Sequence, residues 1–415
     1  MSAQYQLPRG AKHFLPEEAY TVTLLENKAR TVFAIYGYRQ IRLPIIENKN
    51  IFIRSLGENS DIVDKQIFNI EGKYALCLRP EATAQIARSY IEHNLYSQKL
   101  VKLFYIGAMF RGERPQKGRF RQFHHIGAEA IGQRSPYLDA ELMKLANDLL
   151  LTFGICSFEL EVNSLGCKRD VARLEQILLQ ELKGKSEHLC ENCKRRLKTN
   201  TLRVLDCKNA SCRDIIAKLC IGMDYLCGDC KSYFDSVLKA LDSLSIKYRH
   251  VHTLVRGLDY YTQTVFEFTS SLLGSQNAIG AGGRYDGLVK ELGGQNAPAC
   301  GFALGLERIL LLRGVKEKEP PPTAFIAYVT ENLQEKAFKL LNNLRQANVS
   351  CDMDFNFSSL KSQLRYCQKL RATFAVILGE DELSKSCVMV RDMQKSKQET
   401  VKIDTLILYF KQQTA

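Results

Sequence analysis

Residues 111–121 hold four arginines and one lysine against a single glutamate, inside the stretch Phe110-Arg-Gly-Glu-Arg-Pro-Gln-Lys-Gly-Arg-Phe-Arg-Gln-Phe-His-His-Ile-Gly-Ala-Glu129. Gly112, Pro115 and Gly118 mark a loop, and apolar residues flank it, so the segment reads as two strands joined by a basic hairpin. A guanidinium presents a rigid donor fork to phosphate oxygens, so such a hairpin can clamp a phosphate chain. A solvated charged hairpin carries the same pattern. Leu254-Val-Arg-Gly-Leu-Asp-Tyr-Tyr261 places one Arg, one Asp and two Tyr in what reads as an apolar strand. Buried polar groups there need partners, from protein or from ligand. Gly280-Ala-Gly-Gly-Arg-Tyr-Asp-Gly287 lets backbone approach a ligand closely, or simply turns between sheet elements. It is no dinucleotide fingerprint, because Tyr285 stands where that motif needs its last glycine. Gly301-Phe-Ala-Leu-Gly-Leu-Glu-Arg308 carries small residues at helical spacing, with Arg308 at the polar edge of a helix expected over Gly301–Leu312.

Seven of the fourteen cysteines fall between Cys190 and Cys230. The chain opens without an apolar export core, so reduced thiols or metal ligands fit better than disulfides, and the cytoplasm is the expected location. Cys190-x2-Cys193 and Cys227-x2-Cys230, with Cys207-x4-Cys212 between them, suit a tetrahedral structural zinc site on Cys190, Cys193, Cys227 and Cys230. Buried free thiols are the plainer reading. The formal net charge of +13 suits a polyanionic partner such as nucleic acid. No apolar run approaches the roughly 18 residues that cross a bilayer, so no membrane partner is expected.

The elements that must position these groups follow from periodicity. Pro16-Glu-Glu opens a helix that runs to Tyr36, with Val22, Leu25, Ala29, Val32 and Phe33 at helical spacing. Strand-like runs at 74–78, 100–106, 123–131, 251–268 and 276–283 outnumber the helices expected at 81–93 and 139–153, which favours a mainly antiparallel α+β sheet. Residues 167–245 are helical in pattern and rich in Lys, Arg and Cys, and read as an inserted helical domain. Lys316-Glu-Lys-Glu-Pro-Pro-Pro322 reads as a stiff linker. Beyond it, strands at 324–329 and 374–378 alternate with helices at 333–344 and 360–370, the pattern of a small α/β domain with parallel strands.

In order along the chain, these pieces resemble class II aminoacyl-tRNA synthetases. The hairpin is similar to motif 2, Gly305-Leu-Glu-Arg308 to motif 3, and Tyr38–Glu47 to motif 1, the dimer-interface element of that class. Leu254–Tyr261 and Ala281–Gly287 match the two signature peptides of histidyl-tRNA synthetases. The resemblance implies residues 1–166 and 246–314 as the catalytic domain, 167–245 as the inserted domain, 315–322 as the linker and 323–415 as an anticodon-binding domain. It implies a homodimer that joins L-histidine to histidine tRNA, with ATP and Mg2+ as co-substrate. Paralogues that regulate a phosphoribosyltransferase generally lose motif 2 chemistry and the anticodon domain, both retained here. A pure RNA-binding protein would not explain the signature peptides.

By the same resemblance, Arg111, Arg119 and Arg308 hold ATP. Arg256 lies at the α-phosphate as the main catalytic group, with Arg111 beside it. The histidine carboxylate attacks that phosphorus, so positive charge is needed where negative charge develops. Glu129 and Tyr261, with Tyr260 beside them, read the imidazole; Glu81, Ala82 and Thr83 hold the α-amino group. Gln116, at the hairpin tip, would read the extra 5′ guanosine of histidine tRNA. His125 also falls in the histidine pocket, where relatives commonly carry Gln.

Overall fold

The computed structural model describes residues 5–57, 60, 62–219, 221–274, 276–314 and 317–413. They form two compact units, Met1–Glu317 and Lys318–Ala415. Val315 and Lys316, where the linker was expected to begin, lie outside the described residues.

The strands of the first unit lack a clear polar face because both of their faces are covered. Thr262–Thr269 is buried at every residue but the first. Eight strands form one sheet in the order Arg39–Gln40, Val101–Phe110, Gln122–Ile131, Ala299–Gly305, Ala278–Arg284, Thr262–Thr269, Glu159–Ser164, Arg249–His250. The inner pairs are all antiparallel, and only the two short edge strands pair parallel. Side chains alternate across a sheet. Ala128, Cys300, Phe302 and Leu304 therefore share one face with Leu142, Leu145 and Leu149 of the helix Pro136–Thr152. Glu129 and Gly301 fall on the other face. There Phe52, Ile86, Tyr90, Tyr260 and Tyr285 form a second core. One row of cross-strand neighbours reads Leu103, Glu129, Gly301, Gly283 and Val265.

Arg284 carries no exposed side-chain surface, yet it is charged. Its Nε lies 2.8 Å from Asp139 and its Nη1 2.7 Å from Asp286, and Nη2 donates to the Gln133 carbonyl at 3.2 Å. Thr264 completes the Asp139 carboxylate at 2.7 Å. This buried network ties the sheet to the helix Pro136–Thr152.

The described residues between 167 and 245 include four α-helices, Lys168–Leu182, Glu191–Thr199, Ala210–Ile216 and Gly228–Ser243. Leu174, Leu178 and Leu182 recur one turn apart and are buried in a small core that includes Cys193, Cys207, Cys212 and Cys230. The last helix instead sends Phe234, Val237 and Leu241 into the core beneath the large sheet. In the second unit, Cys351–Met353, Ala324–Tyr328 and Phe374–Leu378 pair in parallel. Cys387–Asp392 and Gln398–Lys402 then extend that sheet antiparallel.

Two local expectations fail for identifiable reasons. Gly301–Leu312 is not one helix: Ala299–Gly305 is a central strand, and the helix is Leu306–Arg313. Pairing on both sides overrides the helical spacing of its small residues, which instead admit neighbouring side chains. Residues 251–261 are turns and irregular backbone, and the strand begins at Thr262. The Asn163 side-chain amide donates to the carbonyls of His252 and Leu254, so these backbone groups are satisfied outside a strand ladder.

Replacing Arg284 with methionine leaves Asp139 buried without its cation. Arg284→Met is expected to lower unfolding stability by about 3–5 kcal/mol. A shift of the urea midpoint for the first unit measures it.

Candidate active site

The glycines of the central row make room for the site. A Cβ on Gly301 would lie 1.6 Å from Oε2 of Glu129, so only glycine lets that carboxyl lie across the strand. A Cβ on Gly283 would come within 2.9 Å of the Tyr261 ring. Above this floor opens a cleft of about 670 Å³, and Arg111, Arg256, Arg308, Glu129 and Tyr261 all line it. Such a volume is within the usual range for a cofactor-sized ligand.

One end of the cleft is cationic. The Gln122–Ile131 strand and its hairpin bring Arg111 and Arg119, the irregular loop before Thr262 brings Arg256, and the first turn of Leu306–Arg313 brings Arg308. Arg111 donates to the Pro80 carbonyl at 2.9 Å and lies over the Phe123 ring, 5.3 Å from its centre. Arg308 donates to the carbonyls of Gly118 (3.4 Å) and Ala278. Arg119 pairs with Glu113, and Arg256 with Glu267 at 2.5 Å. Burial, then the charges of Arg119, Arg111 and Arg256, pulls Arg308 down to about 10. Burial also lowers Arg111, against the pull of Glu81. For Arg256 burial acts downward too, but Glu267, with help from Tyr261 and Asp206, outweighs it and leaves the group raised. All three keep their charge at neutral pH, and an arriving anion would relieve their mutual repulsion.

The other end is carboxylic and aromatic. Glu129 accepts from Thr83 at 2.7 Å and from the Tyr285 hydroxyl. Burial raises its carboxyl to about 8, despite those two donors. Glu81 accepts from the backbone of Thr83 at 2.5 Å and Ala84 at 3.0 Å, at the start of the helix Thr83–Glu92. The Tyr260 and Tyr261 rings lie 4.7 Å apart between centroids, tilted by 53°. His125 lines the cleft beside Phe123, with ring centroids 5.0 Å apart. Burial, then the charges of Arg111, Arg308 and Arg79, holds it well below its usual range, so the ring is neutral. Among the described residues no partner reaches its Nδ1, nor Nε of Arg256. Both atoms are buried, and a bound ligand would satisfy them.

Not every expected residue faces the cleft. Ala82 is fully buried behind it, at the N-cap of the helix Thr83–Glu92. Gln116 is exposed at the hairpin tip, paired through its backbone with Arg119 at 2.9–3.1 Å. The zinc quartet drawn from the two CxxC motifs does not come together. Cys190 and Cys193 cluster with Cys207 and Cys212, whereas Cys227 and Cys230 cluster with Cys167 and Asp170. The helix Gly228–Ser243 turns toward the start of Lys168–Leu182, and this separates the two motifs. Sequence reasoning also passed over Tyr285 and Glu267, which anchor Glu129 and Arg256. A tyrosine in the glycine signature and a lone acid in the apolar run Val265–Phe268 were the available signals.

Gly301→Ala pushes a methyl group into the Glu129 carboxyl. It is expected to weaken ligand binding at the carboxylic end of the cleft at least about tenfold, roughly 1.4 kcal/mol, while binding at the cationic end stays near that of the unaltered protein. Separate titrations of a ligand at each end distinguish the two.

A family model described as histidyl-tRNA synthetase matches residues 10–309, and one described as anticodon binding domain matches residues 323–413. The histidine–tRNA ligase of Syntrophotalea carbinolica is 43% identical over 400 residues, covering 95% of this chain and 96% of that relative. The histidine–tRNA ligase of Natranaerobius thermophilus is 44% identical over 400 residues, covering 94% and 95%. The solved histidyl-tRNA synthetase of S. aureus matches with a TM-score of 0.81 and 32% identity, over 98% of this chain and 100% of that one. A basic cleft with a buried carboxyl at one end, a mainly antiparallel sheet and these full-length matches agree: the chain belongs to the histidyl-tRNA synthetase family.

Proposed function

We infer that this protein ligates L-histidine to histidine tRNA through a histidyl-adenylate, releasing pyrophosphate and then AMP. The observation that carries this reading is the single cleft with Arg111, Arg256 and Arg308 around one end and Glu129 with Tyr261 at the other. In the first step the histidine carboxylate attacks the α-phosphorus of ATP, which enters with Mg2+, and pyrophosphate leaves. Charge accumulates on the α-phosphate oxygens, and Arg256 neutralises it from a position fixed by Glu267. Arg111, Arg119 and Arg308 hold the rest of the triphosphate. Preorganised donors of this kind act more strongly in an enclosed site than in water. In the second step a terminal ribose hydroxyl of the tRNA attacks the adenylate carbonyl. A phosphate oxygen accepts the proton, so no side chain is needed as base.

Histidine is selected by polar groups that a different side chain would leave unpaired. Glu129 and Tyr261 face the imidazole, and Glu81 and Thr83 face the α-amino group. A neutral His125 can donate through one ring nitrogen and accept through the other, as the amide of Gln does with its two groups. Ala82 contributes through backbone position only. Gln116 is free to meet the tRNA 5′ end because the hairpin tip is exposed. Residues 1–166 with 246–314, 167–245, 315–322 and 323–415 act as catalytic domain, insertion, linker and anticodon-binding domain. No helix among the described residues is long and apolar enough to cross a membrane. We place the protein in the cytoplasm as a homodimer. Ile45 and Ile46 of the motif 1 segment are large apolar side chains left about half exposed, which suits a subunit contact there. A structural zinc in the insertion belongs to the same reading.

Histidine-dependent exchange of pyrophosphate into ATP is the direct assay. Arg256→Gln is expected to lower its kcat about 10²–10³-fold, with the histidine KM little changed. Absence of exchange in the unaltered protein would end this reading. A second expectation concerns pH. Free histidine loses its ring proton near about pH 6.5. The free enzyme's Glu129, raised to about 8, is protonated below that pH and ionised above it. If the ionised carboxylate accepts from the substrate, kcat/KM for histidine rises with pH and levels off above about 8, since that ratio reports free-enzyme groups. Glu129→Gln should remove this step, and a profile unchanged by the substitution argues against it.

A further inference from the structure

Four cysteine sulfurs of the insertion, from Cys190, Cys193, Cys207 and Cys212, lie within 4.8 Å of one another. The Cys190 and Cys207 sulfurs are 3.8 Å apart. A tetrahedron of sulfurs around zinc at about 2.3 Å has edges of about 3.8 Å, whereas a disulfide would bring a pair to about 2 Å. Cys193 and Cys212 have no exposed surface and Cys207 has 8%, while Cys190 is half-buried at the edge of the cleft, so three of the four sulfurs are enclosed, as suits a structural metal site. The Cys190 amide donates to the Cys212 sulfur at 3.2 Å, a contact that steadies a thiolate.

The second cluster does not carry the same conclusion. The Asp170 carboxylate is already committed to the amides of Cys167 at 3.2 Å and Cys227 at 3.1 Å, and the Cys230 sulfur accepts from Gln263 at 3.2 Å. These bonds hold the starts of two helices together without an ion.

We propose that Cys190, Cys193, Cys207 and Cys212 bind one zinc ion, and that this ion pins the wall of the active site that holds the Arg256 loop. Asn200 and Arg203 lie between the two ligand pairs. Asn200 donates to Asp259 at 2.8 Å and Arg203 donates to the Gly257 carbonyl. Both acceptors belong to the loop Leu254–Tyr261, and Cys190, Cys207 and Arg203 themselves line the cleft. An insertion of this size with a small core gains much of its order from such a tie. The positioning role rests on the adenylation reading above; the metal site does not.

The test uses the full chain, purified without chelator and analysed for metal. About one zinc per chain is expected. The double variant Cys193→Ser/Cys212→Ser should lose it, and Cys227→Ser should keep it. A wild-type chain without zinc overturns the proposal, as does zinc that survives the double variant and leaves with Cys227→Ser. Because the double variant can fail to fold, cobalt exchanged into the unaltered chain provides a second reading. A tetrathiolate site gives intense sulfur-to-cobalt charge transfer with tetrahedral ligand-field bands, and their absence sinks the site. For positioning, stripping the zinc should lower kcat in pyrophosphate exchange about tenfold or more, in the direction that loss of Arg256 does, and re-added zinc should restore it. An unchanged kcat refutes the positioning role while leaving the metal site and the exchange activity intact.

Discussion

Like charges must be gathered around one cleft without being cancelled, and most of the catalytic unit is arranged to permit this. Arg111 and Arg308 are held by main-chain oxygens of Pro80, Gly118 and Ala278. A carbonyl dipole fixes a guanidinium while leaving its full charge for a ligand. A carboxylate would fix it more tightly and remove the charge. Carboxylates are used where orientation matters most, on Arg119 and Arg256. Burial, with the neighbouring arginines adding to it, lowers Arg308 to about 10, which is not enough to discharge the group. Arg284 shows the opposite solution on the same sheet. Buried between Asp139 and Asp286, it is fully compensated and serves the fold alone.

Specificity depends on missing side chains as much as on present ones. Glu129 reaches its position because Gly301 lies beside it in register, and the Tyr261 ring fits over Gly283. Hydrogen bonds from Thr83 and Tyr285 then restrict the carboxyl to one orientation. Strand register therefore connects the glycine pattern of the sequence to the shape of the carboxylic end of the cleft. A register slip of one residue would place Ala128 where Glu129 now stands.

Much of this was legible in the chain itself. The order of the basic hairpin, the two signature peptides and Gly305–Arg308 identified the residues that share the cleft, and the α+β class followed from the excess of strands over helices. Register and chain reversal were not legible. Gly301–Gly305 has helical spacing, and only pairing with Gln122–Ile131 and Ala278–Arg284 makes it a strand. Leu254–Tyr261 looks like a strand because it reads as an apolar run with a few polar residues set into it, yet Asn163 takes up the carbonyls of His252 and Leu254 from the side. The two CxxC motifs look like partners because their spacing repeats. Their true neighbours, Cys207 with Cys212 and Cys167 with Asp170, depend on how four helices fold back on one another. Tyr285 and Glu267 escaped notice for a related reason: each is an ordinary residue type whose importance comes from what lies opposite it.

Anchoring arginines to main-chain oxygens has a further effect on how such a site ages under mutation. A carbonyl acceptor survives any replacement of its own side chain that keeps the backbone in place. Drift at positions 80 or 278 can therefore leave Arg111 and Arg308 tethered, whereas loss of Glu113 or Glu267 cannot be absorbed in that way. The cation cluster thus divides into a half insulated from its neighbours' substitutions and a half bound to them, so paired replacement should mark Arg119 with Glu113 and Arg256 with Glu267 but not Arg111 or Arg308.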